Sequence, residues 1–241
     1  MKQIFFRIQS NEKIAENVYK LVLIGDTSDI FAGQFVNIKI DGTFLRRPIS
    51  VCDINGGTLT LIYKVVGKGT EILSKLKDGI LDTLTGLGNG YDLAKSKDAP
   101  LLIGGGVGVP PMYYLAKKLI DMGKKVTVIL GFNKAEEVFY AKEFESLGAK
   151  TIVTTVDGSV GIKGFVTDAI KDLDYSYVYT CGPEPMLKAV HKSIKTSGQF
   201  SFEKRMGCGF GACMGCSCKT IYGNKRICVE GPVLFKEEIL W

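Results

Sequence analysis

Five of the seven cysteines fall between Cys208 and Cys228. Cys208-x4-Cys213-x2-Cys216, with Cys228 beyond, has the spacing of a plant-type [2Fe–2S] site. Thiolates bind the irons, and glycines at 207, 209, 211 and 215 let the loop fold around a cluster. They also free backbone N–H groups to donate to its sulfurs, which tunes the potential. Four thiolates can also close a tetrahedral zinc site. Structural zinc normally uses two short-spaced pairs, whereas here three cysteines crowd one loop and the fourth stands alone. Plain buried cysteine is the third reading. Cys218, one residue beyond Cys216, could replace Cys228 but is expected to be a nearby buried thiol.

Two further stretches could grip phosphates. Arg47-Pro48-Ile49-Ser50 is expected at the end of a strand, where an arginine fork suits pyrophosphate oxygens and the serine hydroxyl falls in reach of the same ligand. Ile62-Tyr63-Lys64 follows, and Gly69-Thr70 opens a short helix whose free N–H groups favour an anion. Together these predict a flavin site; read alone, the tetrapeptide is a surface arginine in a proline turn. Gly104-Gly105-Gly106-Val107-Gly108-Val109-Pro110-Pro111 sits between an expected strand and helix, where α/β sheets bind nucleotides. It is not a Rossmann fingerprint, because position six is Val109, and a tight strand–helix turn is its plainer explanation. Cys181-Gly182-Pro183 ends the last strand of that region and leads to Met186.

The elements that must position these residues follow from periodicity. Val18–Ile24, Phe35–Ile40 and Leu59–Val66 read as strands separated by turn residues, which predicts a small antiparallel barrel with one helix near 70–76. After the polar stretch 95–98 the pattern becomes alternating strand and helix. Strands are expected at 100–103, 125–131, 151–155 and 177–180, and helices at 110–122, 140–147, 165–173 and 183–194. That alternation implies a parallel sheet with right-handed crossovers. The expected division is residues 1–97 for a flavin barrel, 98–199 for a nucleotide domain and 200–241 for a cysteine-rich segment.

Composition bounds the answer without deciding it. The 241 residues are 46% apolar and 23% charged, which suits a globular chain and excludes general disorder. Glycine, 29 of 241 against an average of about 7%, signals tight turns and close backbone approaches. A net charge of +6 is too diffuse to argue for nucleic acid. An odd number of clustered cysteines is unlike a secreted disulfide framework. The N-terminus lacks an apolar run of signal-peptide length, and glycines and prolines interrupt the uncharged stretch 99–116 too often for a membrane span. A reduced, cytoplasmic protein is expected.

These motifs, in this order, resemble the ferredoxin–NADP reductase superfamily, and within it the electron-transfer subunits of class 1B dihydroorotate dehydrogenases. The resemblance covers essentially the whole chain. It rests on 47–50, 104–111, 181–186, the run Cys208 to Lys219, and Cys228-Val-Glu-Gly-Pro-Val-Leu-Phe. It implies that Arg47 to Ser50, Ile62 to Lys64, Gly69 and Thr70 hold FAD. It further implies that 104–111 and 181–186 receive NAD, and that Cys208, Cys213, Cys216 and Cys228 carry a [2Fe–2S] cluster. The implied partner is an FMN-containing catalytic subunit that oxidises dihydroorotate, in a heterotetramer with two of each. No acid–base residue for dihydroorotate is visible here, so that chemistry is expected on the partner.

Other systems could use the same parts, such as an NAD(P)H-linked ferredoxin, sulfur or hydrogenase complex. A zinc-stapled, non-redox binding protein is the reading from another class. Glu136 and Glu137 after Phe132 favour NAD over NADP, since carboxylates suit a free ribose hydroxyl. His191 and Cys52 are expected to be packing residues, and Lys117, Lys118, Lys124 and Lys125 a solvated face. Cys181 and Tyr63 stand evenly between packing and cofactor contact.

Overall fold

A computed structural model describes the chain from Met1 to Trp241. Strands β1 (Lys2–Ala15), β2 (Val18–Ile24), β3 (Phe35–Ile38), β4 (Arg47–Asn55), β5 (Thr58–Lys64) and β6 (Ile80–Leu87) close into a barrel in the order β1-β2-β5-β4-β3-β6. Every neighbouring pair is antiparallel. Helix α1 (Lys68–Lys75) connects β5 to β6. Phe6, Leu21, Leu23, Val36, Ile38, Leu59 and Leu61 are fully buried in the larger of two cores.

Two sequence expectations shift here. The long β1 is not apparent from alternation, because its pairing slips between Ile8 and Ser10 and again between Lys13 and Ala15; each bulge resets which face a residue occupies. Arg47 opens a strand rather than ending one. The chain reverses over 41–46, and Pro48 is accommodated near the start of β4, where a missing N–H costs least.

The α/β region comprises β7 (Pro100–Gly105), α2 (Val109–Asp121), β8 (Thr127–Phe132), α3 (Ala141–Ser146), β9 (Lys150–Thr155), β10 (Ile162–Lys163), α4 (Val166–Ile170), β11 (Tyr177–Cys181), α5 (Glu184–Ser193) and β12 (Gly198–Ser201). Helix α4 is shorter than the expected 165–173: it ends at Ile170, and Leu173 packs on the second core from the turn that follows. The sheet runs β10-β9-β8-β7-β11-β12-β15, parallel except that β15 (Val233–Phe235) pairs antiparallel with β12. Between β12 and β15 lie the cysteines and the hairpin β13 (Ser217–Thr220) and β14 (Gly223–Arg226). The cysteine stretch is therefore an excursion from the sheet that returns to it.

Helix α2 joins barrel to sheet. Lys117, expected on a solvated face, instead reaches across: its Nζ lies 2.9 and 3.2 Å from the Asp53 carboxylate and 3.2 Å from the Ile54 carbonyl. Lys118 and Lys125 are exposed. No helix is long and apolar enough to cross a membrane. Truncating a half-buried charged partner strands the other one, so Lys117→Ala is expected to lower stability by roughly 1.5–3 kcal/mol. A denaturation midpoint equal to that of the native sequence would refute the junction's role.

Candidate functional site

A cavity of about 380 Å³ lies on the outer side of the barrel. Arg47, Pro48 and Ser50 line it from β4, Ile62, Tyr63 and Lys64 from β5, and Thr70 from α1. The Arg47 guanidinium donates only to carbonyls, those of Leu45 and Arg46. No carboxylate neutralises it, which leaves its charge available to a phosphate group. Gly69 does not line the cavity but makes it possible: a Cβ there would sit 2.1 Å from Arg47 Nε. Thr70 Oγ1 accepts from Val66 N and Gly67 N, at 3.0 and 3.3 Å, and so squares the start of α1. Tyr63 serves packing first. Its ring stacks on Tyr19, its hydroxyl donates to Asn11 Oδ1 at 3.0 Å, and burial pushes its phenol up to about 12. It still borders the cavity. These donors and apolar walls fit a flavin nucleotide.

A second cavity, about 580 Å³, opens at the C-terminal ends of β7, β8 and β9. Gly105, Gly106, Val107, Pro183 and Met186 line it. Gly104, Gly108, Cys181 and Gly182 lie behind that wall. Gly108 must lack a side chain, because a Cβ would fall 2.2 Å from the Cys181 carbonyl oxygen. Cys181 is buried and its thiol is pushed up by burial, and Cys52, equally buried, behaves the same way. The Thr154 hydroxyl is buried in this cavity without a partner. A polar atom stranded there suits the hydroxyls and amides of a dinucleotide.

Glu137 lines this cavity, as an acid expected beside the nucleotide should, and is also engaged within the fold. It accepts from Asn133 N and Nδ2, at 3.2 and 2.8 Å, and pairs with Lys64 at 3.4 Å. That contact bridges barrel and sheet. His191 packs on Phe200 and Trp241, with Nε2 3.1 Å from the Lys236 carbonyl. A further hollow, about 670 Å³, lies at the other end of the sheet around Lys95, Ser176 and Thr196, and holds none of the expected site residues.

The cysteines come as two pairs. The N–H of Cys208 points to Cys213 Sγ at 3.4 Å, while Ala212 and Cys213 return N–H groups to Cys208 Sγ at 3.2 and 3.4 Å. The N–H of Cys228 points to Cys216 Sγ at 3.4 Å. Burial raises the Cys208 thiol, but the N–H groups of Phe210, Cys213 and Ala212 outweigh it and bring the group below its ordinary value. Cys228 moves the other way, through burial and the neighbouring Cys216. No three His, Cys, Asp or Glu side chains close around one point. Two facing pairs match two irons better than a single tetrahedral ion. Cys218 stays outside both pairs, on β13, and packs against the second core.

The two cavities share Lys64, Val107 and Glu203. Glu203 was not expected from sequence, where it is one acid in the mixed run Glu203-Lys204-Arg205. It follows β12 directly, lines both cavities and has no cationic or N–H partner; nearby protein nudges its carboxyl upward although the residue stays open to solvent.

Comparison with known proteins follows the same geometry. Residues 203–240 match the iron-sulfur cluster binding domain of dihydroorotate dehydrogenase B, and residues 102–192 match an oxidoreductase NAD-binding domain. The dihydroorotate dehydrogenase B (NAD(+)) electron transfer subunit of Bacillus pumilus is 44% identical, over 99% of this chain and 98% of that protein. Its counterpart in Fusobacterium nucleatum is 45% identical, over 96% of each chain. Among solved structures, an NADH-dependent reduced ferredoxin-NADP oxidoreductase superposes with a TM-score of 0.87 at 32% identity, over 98% of this chain and 90% of that one. The chain belongs to the family of dihydroorotate dehydrogenase B (NAD(+)) electron transfer subunits.

Proposed function

We propose that this chain receives electrons from an FMN-containing catalytic subunit that oxidises dihydroorotate, and delivers them through a [2Fe–2S] cluster and FAD to NAD⁺. The observation that carries the reading is the shared wall of the two cavities at Lys64, Val107 and Glu203, with the cysteine loop emerging from the same strand end. When bound, the cluster supplies one-electron transfer, the flavin exchange between one and two electrons, and the nicotinamide hydride transfer. The chain's own residues supply placement.

Arg47, Ser50, Lys64 and the start of α1 at Gly69 and Thr70 would hold the FAD phosphates and ribityl hydroxyls. Pro48, Ile49, Ile62 and Tyr63 would form the apolar wall against its ring. Gly104 to Gly108 and Cys181 to Pro183, with Met186, would seat NAD. Cys208 with Cys213, and Cys216 with Cys228, would each hold one iron. Glu203 would sit at the meeting point, where an anionic or neutral carboxyl changes the local charge felt by a nicotinamide. In this reading residues 1–97 serve FAD, 98–199 serve NAD and 200–241 serve the cluster, in a cytoplasmic complex with two copies of each subunit. The catalytic base for dihydroorotate belongs to the partner.

Anaerobic titration with NADH tests nucleotide, flavin and cluster together. Bleaching of both the flavin and the cluster bands is expected; no change in either defeats the proposal. Loss of a charge-assisted phosphate contact should weaken FAD binding by about 10–100-fold in Arg47→Ala. Cys213→Ser should abolish bound iron while FAD remains, and full iron content in that variant contradicts the ligand assignment. The isolated chain should not oxidise dihydroorotate without its partner.

A further inference from the structure

Strand β3 carries a polar residue that the barrel itself does not need. Asn37 is 1% exposed between Val36 and Ile38, both fully buried in the barrel core. Residues alternate across a strand, so Asn37 faces away from that core, on the same side as Phe35. Its Nδ2 donates to the Cys208 carbonyl at 3.1 Å. Its Oδ1 is buried and has no partner. A buried amide with only part of its capacity used is a net burden on the fold.

The surrounding contacts show what the burden secures. In the β3–β4 register Asn37 stands opposite Pro48, between the pairs Val36–Ile49 and Ile38–Arg47. Arg46 Nη1 holds the Asn37 carbonyl at 3.3 Å while also donating to the Asp82 carbonyl at 2.9 Å. The amide therefore hangs from backbone fixed on both sides. Against it lies Gly209, whose φ of +77° and a Cβ position 2.3 Å from Asn37 Nδ2 leave room for no side chain. Phe35 lines the flavin cavity and belongs to the buried cluster that contains Cys216 and Cys228. One face of β3 thus holds the backbone of Cys208 through Asn37 and shares a buried cluster with Cys216 and Cys228 through Phe35.

We propose that Asn37 is a positioning residue that locks the Cys208 end of the iron–sulfur loop to the barrel strand behind the flavin cavity, and so sets electron transfer between cluster and FAD. The proposal rests on the cofactor assignment given above. Outer contacts of metal ligands commonly carry 10–100-fold effects, and this one bonds the backbone of a ligand rather than its sulfur.

The test uses the cofactor-loaded complex with Asn37→Leu, which keeps the branched outline of the side chain and removes both the donor and the stranded Oδ1. FAD content, iron content and melting temperature should stay at native levels, and NADH should reduce the flavin at the native rate. Reduction of the cluster after rapid mixing should slow by about 10–100-fold, with an altered electron paramagnetic resonance line shape. Native cluster-reduction kinetics with an unaltered line shape would overturn the proposal. Should the leucine variant lose its iron, Asn37→Ser, which keeps a donor, decides the matter. Iron regained with slow reduction supports the role, as does iron lost from both variants with FAD and melting unchanged. Native kinetics in the serine variant overturn it. Absence of FAD or iron from the unsubstituted complex would instead defeat the cofactor assignment, whatever the variants do.

Discussion

The architecture hinges on the antiparallel pairing of β15 with β12, in which Gln199, Phe200 and Ser201 face Phe235, Leu234 and Val233. That short ladder fixes both ends of the cysteine excursion to the edge of the parallel sheet. Asn89, just beyond the barrel, completes the fixture. Its N–H donates to the Gly231 carbonyl at 2.6 Å, its Nδ2 to the Val233 carbonyl at 2.7 Å, and its Oδ1 accepts from Val233 N at 3.1 Å. Barrel, sheet and cysteine loop are thereby held at one junction. Since electron transfer requires cofactors at short and constant separation, rigidity there matters more than any single side chain in a cavity.

The same junction explains why the two cavities can share walls. Residues 201–204, leaving β12, border the flavin cavity, while Glu203 also turns into the nucleotide cavity. Lys64 comes from the barrel and pairs with Glu137 of the α/β region. Lys117 of α2 and Asp53 of β4 tie the two a second time. None of these contacts is large. Each is partly screened from water, and together they oppose sliding of the nucleotide region against the barrel. The cysteine loop adds its own brace, for Arg226 Nη1 donates to the Gly211 carbonyl at 3.0 Å while its other nitrogens pair with Glu230.

What the sequence made legible was local. Cysteine spacing, the glycine run at 104–108 and the switch from strand patterning to alternating strand and helix each depend on neighbours in the chain. They led to the barrel, the parallel sheet and the cysteine segment. What stayed hidden was long-range. Asn37 and Cys208 are 171 residues apart, and nothing beside Asn37 marks it as more than a polar strand residue. Glu203 looks like one charge in a mixed run until folding sets it where the two cavities meet. Lys117 reads as surface because its carboxylate lies across an interface that periodicity cannot show. The bulges in β1 erased the alternation that would have revealed it. Glu137 was legible as an acid near the nucleotide but not as the partner of Lys64.

The central claim is that the four cysteines act as two iron-binding pairs rather than one tetrahedral set. Metal and sulfide analysis of anaerobically prepared protein, joined to paramagnetic resonance of the same sample after reduction, addresses this most directly. The account predicts iron and inorganic sulfide in equal amounts, about two of each per chain, and a single reduced-cluster signal that integrates to about one spin. Zinc near one equivalent, with no inorganic sulfide and no signal, would contradict it.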